Sequence, residues 1–277
     1  MCPIKTNVNT VPAGSRSTTR PVGSLRRGLS LLELLLATAI MSLIALGVSA
    51  MAGTVRIAGE YAHSRSQAVQ HGRVASNQIE QAVAHAKCCE AFPGCLAVDT
   101  YVSGVSYPDA LVVWLPEGAA ADPEAPRMNE MLLFTWHPNN PQVLVRIRNR
   151  SDSRNAPHAS NLAQWRQEVA SLRSSNAAER IEMTTLLFAA PAGTGSDRGA
   201  VRFQVRLLPS ADEWTSYQAG SLAWEDLSWA QDIYSSRTGL RQIWCHFEMQ
   251  LLVEDVPGED SHVPFFGSAA IYTLLEK

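Results

Sequence analysis

Acidic side chains are missing from the first 28 residues of this 277-residue chain, although five basic residues lie there. The rest of the chain holds 18 basic and 26 acidic residues, a net charge of −8, against −3 for the whole. A basic segment ahead of an acidic body is typical of a cytoplasmic tail followed by a translocated domain. A nucleic-acid-binding role would require basic residues clustered on the folded part, so we predict no nucleic-acid partner.

Charge is also scarce in the next segment, since Glu33 is the one charged residue between Leu29 and Val55. These residues are rich in Leu and Ala, both good helix formers, and contain no Pro. At about 1.5 Å per residue, a helix of this length can cross a bilayer. The segment is therefore predicted to be a transmembrane helix, residues 29–55, preceded by a leader, residues 1–28.

Proline is absent from residues 56–87 as well, but here polar residues appear on most turns. The pattern predicts that the helix continues beyond the membrane as an amphipathic segment that packs against a sheet or another helix. Small and apolar residues at helical spacing mark the predicted packing face: Val69, Gly72, Ser76, Ile79 and Val83.

Beyond residue 87 the sequence alternates between short β-type runs and turn-rich loops, one of which is Pro191–Gly199. Asn161–Leu172 is predicted to be a short helix with Leu162, Trp165 and Val169 on one face. The predicted class is α+β: a long N-terminal helix packed on a mostly antiparallel sheet, with residues 88–277 as a β-rich globular domain. The predicted strands are Ala110–Leu115, Met131–Trp136, Val143–Ile147, Val201–Leu208, Ile243–Val253 and Ser268–Leu275.

The most specific pattern in the chain lies where the leader meets the apolar segment. A protease at the membrane face needs an unhindered backbone, which Gly28 provides because it has no Cβ. Arg26 and Arg27 hold the leader on the cytoplasmic side, next to anionic lipid. A carboxylate at the bilayer centre costs about 2.5–3.5 kcal/mol, so Glu33 needs a partner. The pattern reads Arg26-Arg27-Gly28-Leu29-Ser30-Leu31-Leu32-Glu33-Leu34-Leu35.

This pattern resembles the N-terminal signal of type IV prepilins and type II secretion pseudopilins. The resemblance implies that a prepilin peptidase cuts between Gly28 and Leu29 and methylates the new N-terminus. It also implies that, in a filament, the carboxylate of Glu33 pairs with the new amine of a neighbouring subunit; a pair within one subunit is the alternative. Two features depart from the family: Leu29 stands where Phe is usual, and the leader is longer than most.

The resemblance further implies a non-enzymatic subunit of a type II secretion pseudopilus or type IV pilus, a minor component near the J-type pseudopilin. Expected partners are the prepilin peptidase, other pilin or pseudopilin subunits, an inner-membrane assembly platform and the lipid bilayer. The expected location is the bacterial inner membrane, with a single pass and the C-terminal domain in the periplasm. The alternatives are a membrane-anchored periplasmic binding module that does not assemble, a secretory signal cut after Ala50, and an unrecognised secreted enzyme.

Once a leader carrying Cys2 is removed, four cysteines remain, an even number that fits an oxidising compartment. Vicinal cysteines seldom bridge each other, so one of the adjacent pair is predicted to bond Cys95 and the other to bond Cys245. Free thiols are one alternative, and a zinc site that includes His85 is a weaker one because no CxxC pair is present. The four cysteines are Cys88, Cys89, Cys95 and Cys245.

Familiar catalytic motifs are missing from the sequence, which has no GxSxG, no HExxH and no phosphate-binding glycine loop. We therefore expect neither catalysis nor a cofactor. Adjacent acids leave calcium as an alternative, although their spacing is not that of an EF-hand. These acidic pairs are Asp212-Glu213, Glu225-Asp226, Glu254-Asp255 and Glu259-Asp260.

Overall fold

The computed structural model describes residues 30–102, 104–192, 197–228, 238–254 and 260–276. The predicted leader and cleavage site, with Arg26, Arg27, Gly28 and Leu29, lie outside the described residues. The chain divides into two compact units, Met1–Thr54 and Val55–Lys277. Helix α1, Leu31–Ala84, contributes residues to both units.

In the second unit, one face of α1 is buried in the core. Gly72, Ile79 and Val83 of the predicted stripe are buried, while Val69 and Ser76 lie half-buried at its margin. Alanines occupy much of the buried face instead, because a small side chain lets the helix backbone approach its neighbours closely. The buried residues of α1 are Ala68, Gly72, Ala75, Ile79, Ala82 and Val83.

The remaining elements confirm the predicted α+β class, and every strand pair is antiparallel. In the part of the chain that the structure describes, the strands form three sheets rather than the single predicted one. A five-stranded sheet has the order β1-β2-β3-β4-β5, a three-stranded sheet has the order β10-β9-β8, and β6 pairs with β7. The strands are β1 Cys95–Val102, β2 Val105–Trp114, β3 Met131–His137, β4 Asn140–Arg148, β5 Glu179–Thr184, β6 Ala189–Pro191, β7 Asp197–Gly199, β8 Val201–Leu208, β9 Thr238–Glu254 and β10 Asp260–Glu276.

The five-stranded sheet is covered on both faces, because alternate residues of its central strands enter two different apolar clusters. Leu111, Val113 and Phe134 join the cluster formed by α1 and the three-stranded sheet. Val112 and Leu133, their neighbours in sequence, join the opposite cluster, which includes helix α2. Burial on both faces explains the near-continuous apolar runs of β2 and β3.

Helix α2, Leu162–Ser174, lies close to its predicted position. The side chain of Asn161 caps it by accepting a 3.2 Å hydrogen bond from the N–H of Gln164. Trp165 and Val169 are buried as predicted, together with Leu172. Leu162, at the first position of the helix, is 43% exposed.

Helix α3, Ala211–Gln218, was not predicted from the sequence. It begins with a capping box in which the hydroxyl of Ser210 accepts from the N–H of Glu213 at 3.2 Å. The carboxylate of Glu213 accepts in return from the N–H of Ser210 at 2.7 Å. Asp212 and Glu213, considered above as a calcium-binding pair, thus form the first turn of a helix, where acidic residues are favourable.

We expect Ser210→Ala to lower the free energy of unfolding by about 1 kcal/mol, because it leaves the N–H of Glu213 without its hydroxyl partner. Urea denaturation of the full chain in detergent measures the change. Ser210→Asn is the control, since Asn also caps helices well and should stay within about 0.5 kcal/mol of the wild type. Equal losses in both variants would contradict a capping role.

Candidate functional site

The start of α1 has its own hydrogen-bonding arrangement around Glu33. The Glu33 carboxylate accepts from the backbone N–H of Ser30 at 2.9 Å and from its hydroxyl at 3.2 Å. The N–H of Glu33 donates to the Ser30 hydroxyl oxygen at 3.2 Å. This is a capping box, with Ser30 just before the first helical residue and Glu33 three positions later. Glu33 therefore has a partner within its own chain.

Ser30 is a residue that sequence reasoning missed. The pattern Ser-x-x-Glu directly before an apolar run is a recognised signal for a helix start, and Ser30-Leu31-Leu32-Glu33 fits it. The exposed carboxylate thus stabilises the first turn of α1.

The apolar part of α1 lies in the first unit and is uncovered there. Every residue from Ser30 to Thr54 is exposed. Within this stretch the hydroxyls of Thr38, Ser42 and Thr54 donate to carbonyl oxygens of the preceding turn at 2.8–2.9 Å. Such internal bonds satisfy polar side chains that have no water around them. Among the described residues, α1 alone is long and apolar enough to cross a membrane, and it is a candidate membrane anchor.

The four cysteines Cys88, Cys89, Cys95 and Cys245 are free in the structure, and their contacts differ from the predicted pairing. Cys95 and Cys245 are both fully buried, and their side chains hydrogen-bond to each other. This hydrogen bond, together with burial, raises the pKa of the Cys95 thiol well above its usual value. The structure therefore brings Cys95 to Cys245. It does not bring one member of the vicinal pair to each of them, and disulfide formation itself stays a prediction.

Cys88 and Cys89 are half-buried and line a cavity of about 650 Å³ between the segment that follows α1, helix α3 and the three-stranded sheet. The Cys88 thiol hydrogen-bonds to Thr273 of β10. Burial raises the pKa of Cys88, and the guanidinium of Arg241, another residue of the cavity wall, partly opposes this effect. A protonated thiol is a weak nucleophile, so this geometry does not favour a reactive cysteine.

A buried carboxylate on β2 is the second feature that the sequence did not reveal. Asp109 is 0% exposed, and its two oxygens accept 2.6 Å hydrogen bonds from the Thr100 hydroxyl and the Trp136 indole N–H. The guanidinium of Arg173 stacks on the Trp136 ring at 4.2 Å, and Arg198 also acts on the carboxylate electrostatically. Burial raises the pKa of Asp109, whereas these donors and cations oppose the rise. Both carboxylate oxygens of Asp109 have hydrogen-bond donors, which is typical of a structural role.

Metal binding receives no support from the arrangement of the described side chains. No group of three or more His, Cys, Asp or Glu residues in the described ranges is placed to hold an ion. Of the acidic pairs considered for calcium, Glu225 and Asp226 lie in a short 3-10 helix. Asp255 and Glu259 are outside the described residues.

Comparisons of the chain with protein-family models, with curated proteins and with solved structures find no match. Its function is therefore inferred from its own residues and contacts. Among them, the start of α1 combines a specific sequence pattern with an unusual exposure of apolar surface.

Proposed function

We propose that this chain is a pilin-like structural subunit, cut between Gly28 and Leu29 by a prepilin peptidase. It assembles as a minor component of a type II secretion pseudopilus or a type IV pilus. The observation that carries the proposal is that α1 is one continuous helix whose first part is apolar and exposed, while its later part is buried in an antiparallel α+β domain. A subunit of this family requires both properties in one helix.

The exposed apolar surface supports a role in lipid or in a helical assembly. Leu31, Leu32 and Leu43 are 69–78% exposed, and the other large apolar residues before Thr54 are also exposed. A contiguous apolar surface of this kind is unstable in water and is typical of membrane-inserted or partner-covered segments. In the proposed life cycle, lipid covers this surface first and neighbouring subunits cover it after assembly.

The capping box supports the proposed cleavage position. The predicted cut precedes Ser30 by one residue, and regular helix begins only at Leu31. A peptidase acting there does not have to unwind the helix, because the bond lies on the N-terminal side of the cap. The carboxylate of Glu33, which accepts from the N–H and the hydroxyl of Ser30, is the group that we expect to receive the new amine. Cleavage thus places a positive charge at the N-terminus of a helix that has a carboxylate ready to receive it.

N-terminal sequencing and intact mass of the full chain, co-expressed with a prepilin peptidase, test the cleavage. We expect a mature protein that starts at a methylated Leu29. Gly28→Val should abolish processing because the branched side chain crowds the bond, whereas Gly23→Val, the control within the leader, should leave processing unchanged. An uncut chain, or one that starts at Met51, would refute the proposal.

Glu33→Gln separates an assembling subunit from a simple membrane anchor. Gln is accepted at this position of a capping box, so the helix start is preserved while the negative charge is lost. If Glu33 pairs with a neighbour's amine, co-purification with other pilin-like subunits should fall about tenfold or more, the effect of losing a charged hydrogen bond. Processing at Leu29 should persist. Co-purification at the wild-type level would support the anchored binding module instead.

A further inference from the structure

We propose that Cys95 and Cys245 form a disulfide bond in the oxidised protein, which joins the five-stranded sheet to the three-stranded sheet. Cys88 and Cys89 remain thiols. This pairing differs from the pairing that the sequence suggests, and it follows from where the two sheets place the four side chains. It does not depend on the proposed function.

The two sulfur atoms of the proposed bond meet in the core between the sheets. Cys95 is the first residue of β1, where it pairs with Val113 of β2. Cys245 lies in the middle of β9, between Val205 of β8 and Ala269 of β10. Both cysteines belong to the same apolar cluster and are 0% exposed, and their side chains hydrogen-bond. Because the two buried thiols are already in contact, the bond can form without a rearrangement of the fold.

The turn that leads into β1 fixes the position of Cys95. Gly94, the residue before it, has a φ of +94°, a conformation that side-chain-bearing residues rarely adopt. Its carbonyl accepts a 2.9 Å hydrogen bond from the N–H of Trp114, which holds the start of β1 against β2. Cys95 is therefore anchored from both sides of its backbone.

The vicinal pair is poorly placed for the disulfides that the sequence suggests. Cys89 packs against the apolar cluster on the opposite face of the five-stranded sheet, with Phe92 and Trp165. Cys95 and Cys245 are fully buried members of the other cluster, whereas Cys89 is half-buried and on that side reaches only the cavity wall. Cys88 is on the same side as the proposed bond, but its thiol hydrogen-bonds to Thr273 at the cavity wall. A scheme that uses both vicinal cysteines would require Cys89 to leave its contacts with the opposite cluster.

The chemistry requires an oxidant, which we assign to a disulfide donor of the thiol oxidoreductase class. A thiolate of the chain attacks the donor disulfide, which forms a mixed disulfide and releases one donor thiol. The second chain thiolate then attacks that mixed disulfide, which forms the Cys95–Cys245 bond and releases the second donor thiol. Two protons leave the chain, and the donor gains them with two electrons.

Burial sets the time at which the bond forms. Neither sulfur is accessible in the folded domain, so a donor cannot reach them once the core has closed. The exchange must precede the docking of the two sheets, in a compartment where donor disulfides are present.

Peptide mapping of the full chain, purified without reductant from a host with an oxidising envelope, tests the pairing. Free thiols are alkylated in denaturant before digestion with trypsin and a Glu-specific protease. Cleavage after Lys87 and Glu90 separates the vicinal pair from Cys95. We expect peptide 91–117 linked to peptide 242–248, and peptide 88–90 alkylated twice. A link to peptide 88–90, or alkylation of all four cysteines, would overturn the inference.

Thermal unfolding provides a second readout, in which each protein is compared with its own reduced form. A general loss of stability in a variant therefore does not affect the result. For each protein, the melting temperature is measured in the oxidised form and again after reduction. The wild type should melt about 5–15 °C lower when reduced, because the bond closes a loop of roughly 150 residues in the unfolded chain. The Cys88→Ala/Cys89→Ala double variant should show the same difference, and Cys95→Ala should show none. A difference that persists in Cys95→Ala would overturn the pairing, whereas processing at Leu29 would be unaffected by either result.

Discussion

Asp109→Ala is expected to lower the free energy of unfolding by about 3–5 kcal/mol, the cost of removing one partner from a buried charged network. In the variant, the Trp136 indole N–H and the Thr100 hydroxyl lose acceptors that lie 2.6 Å away in the wild type. The guanidinium of Arg173, stacked on Trp136, also loses a nearby negative charge. The Trp136 indole N–H cannot easily recover a partner from water, because Asp109 is fully buried and Trp136 is 5% exposed.

Urea denaturation measures this loss, and a neighbouring carboxylate provides the control. Asp99, on the adjoining strand, is 37% exposed and contacts Arg166 at 3.4 Å. Asp99→Ala should change the free energy of unfolding by less than about 1 kcal/mol, as expected for an exposed ion pair. Similar losses in both variants would show that the buried Asp109 network contributes no more to the free energy of unfolding than the exposed ion pair does.

The same residue gives a pH dependence of defined sign. Because burial raises the pKa of Asp109 in the folded state, the folded chain holds this proton more tightly than the unfolded chain. The resulting contribution to stability is fully present below the unfolded-state pKa of about 3.9 and is lost as the pH rises through the folded-state value. Asp109→Asn removes the titration, so its stability should fall less than that of the wild type over this range. An identical pH profile for both proteins would contradict the raised pKa.

Gly72→Leu is expected to cost about 3 kcal/mol, because the added side chain has no room where α1 meets the three-stranded sheet. A Cβ at position 72 would lie 2.6–2.7 Å from ring carbons of Phe265 in β10. Such contacts force the ring or the helix to shift, and Phe265 already packs against the core. Thermal or urea unfolding of the full chain in detergent measures the loss.

A second glycine of the same helix serves as the matched control. Nothing lies within 4 Å of a Cβ built at Gly59. Gly59→Ala should therefore stabilise the protein by up to about 1 kcal/mol through helix propensity alone, whereas Gly72→Ala should destabilise it. Combining Gly72→Leu with Phe265→Ala should cost less than the sum of the two single changes, because the smaller side chain leaves space for the leucine. If the losses in the free energy of unfolding simply add, the leucine does not clash with Phe265.

The helices and strands with strong apolar patterns could be predicted from the sequence, and those with mixed composition could not. All six predicted strands overlap observed ones, since β-branched and apolar runs are visible without knowledge of the fold. Strand β5, Glu179–Thr184, was missed because half of its residues are charged, and β1 was missed because Asp99 interrupts its apolar run. Helix α3 was missed because Ala211–Gln218 has no repeating apolar face and buries no residue.

The contacts at the sites depend on packing between distant segments, which local patterns do not specify. Ser30 could have been recognised as the partner of Glu33, because the two residues are three positions apart and form a known capping pattern. No such signal joins Cys95 to Cys245, whose contact results from the docking of two sheets. Asp109 was likewise hidden, because an aspartate is rarely buried and its donors, Thr100 and Trp136, come from different strands.

The contact between Gly72 and Phe265 joins a part of the chain that is synthesised early to one that is synthesised late. Helix α1 is made early, yet the residue that covers its buried stripe lies in β10, nearly 200 residues later. The part of the stripe around Gly72 therefore gains this contact only after the intervening strands are made, and such contacts between distant parts of a chain form slowly. Small residues such as Ala68, Gly72 and Ala75 limit the apolar area exposed during this interval. The apolar end of the helix, the candidate membrane anchor, needs no such late contact, whereas its other end must avoid wrong partners until the late strands are made.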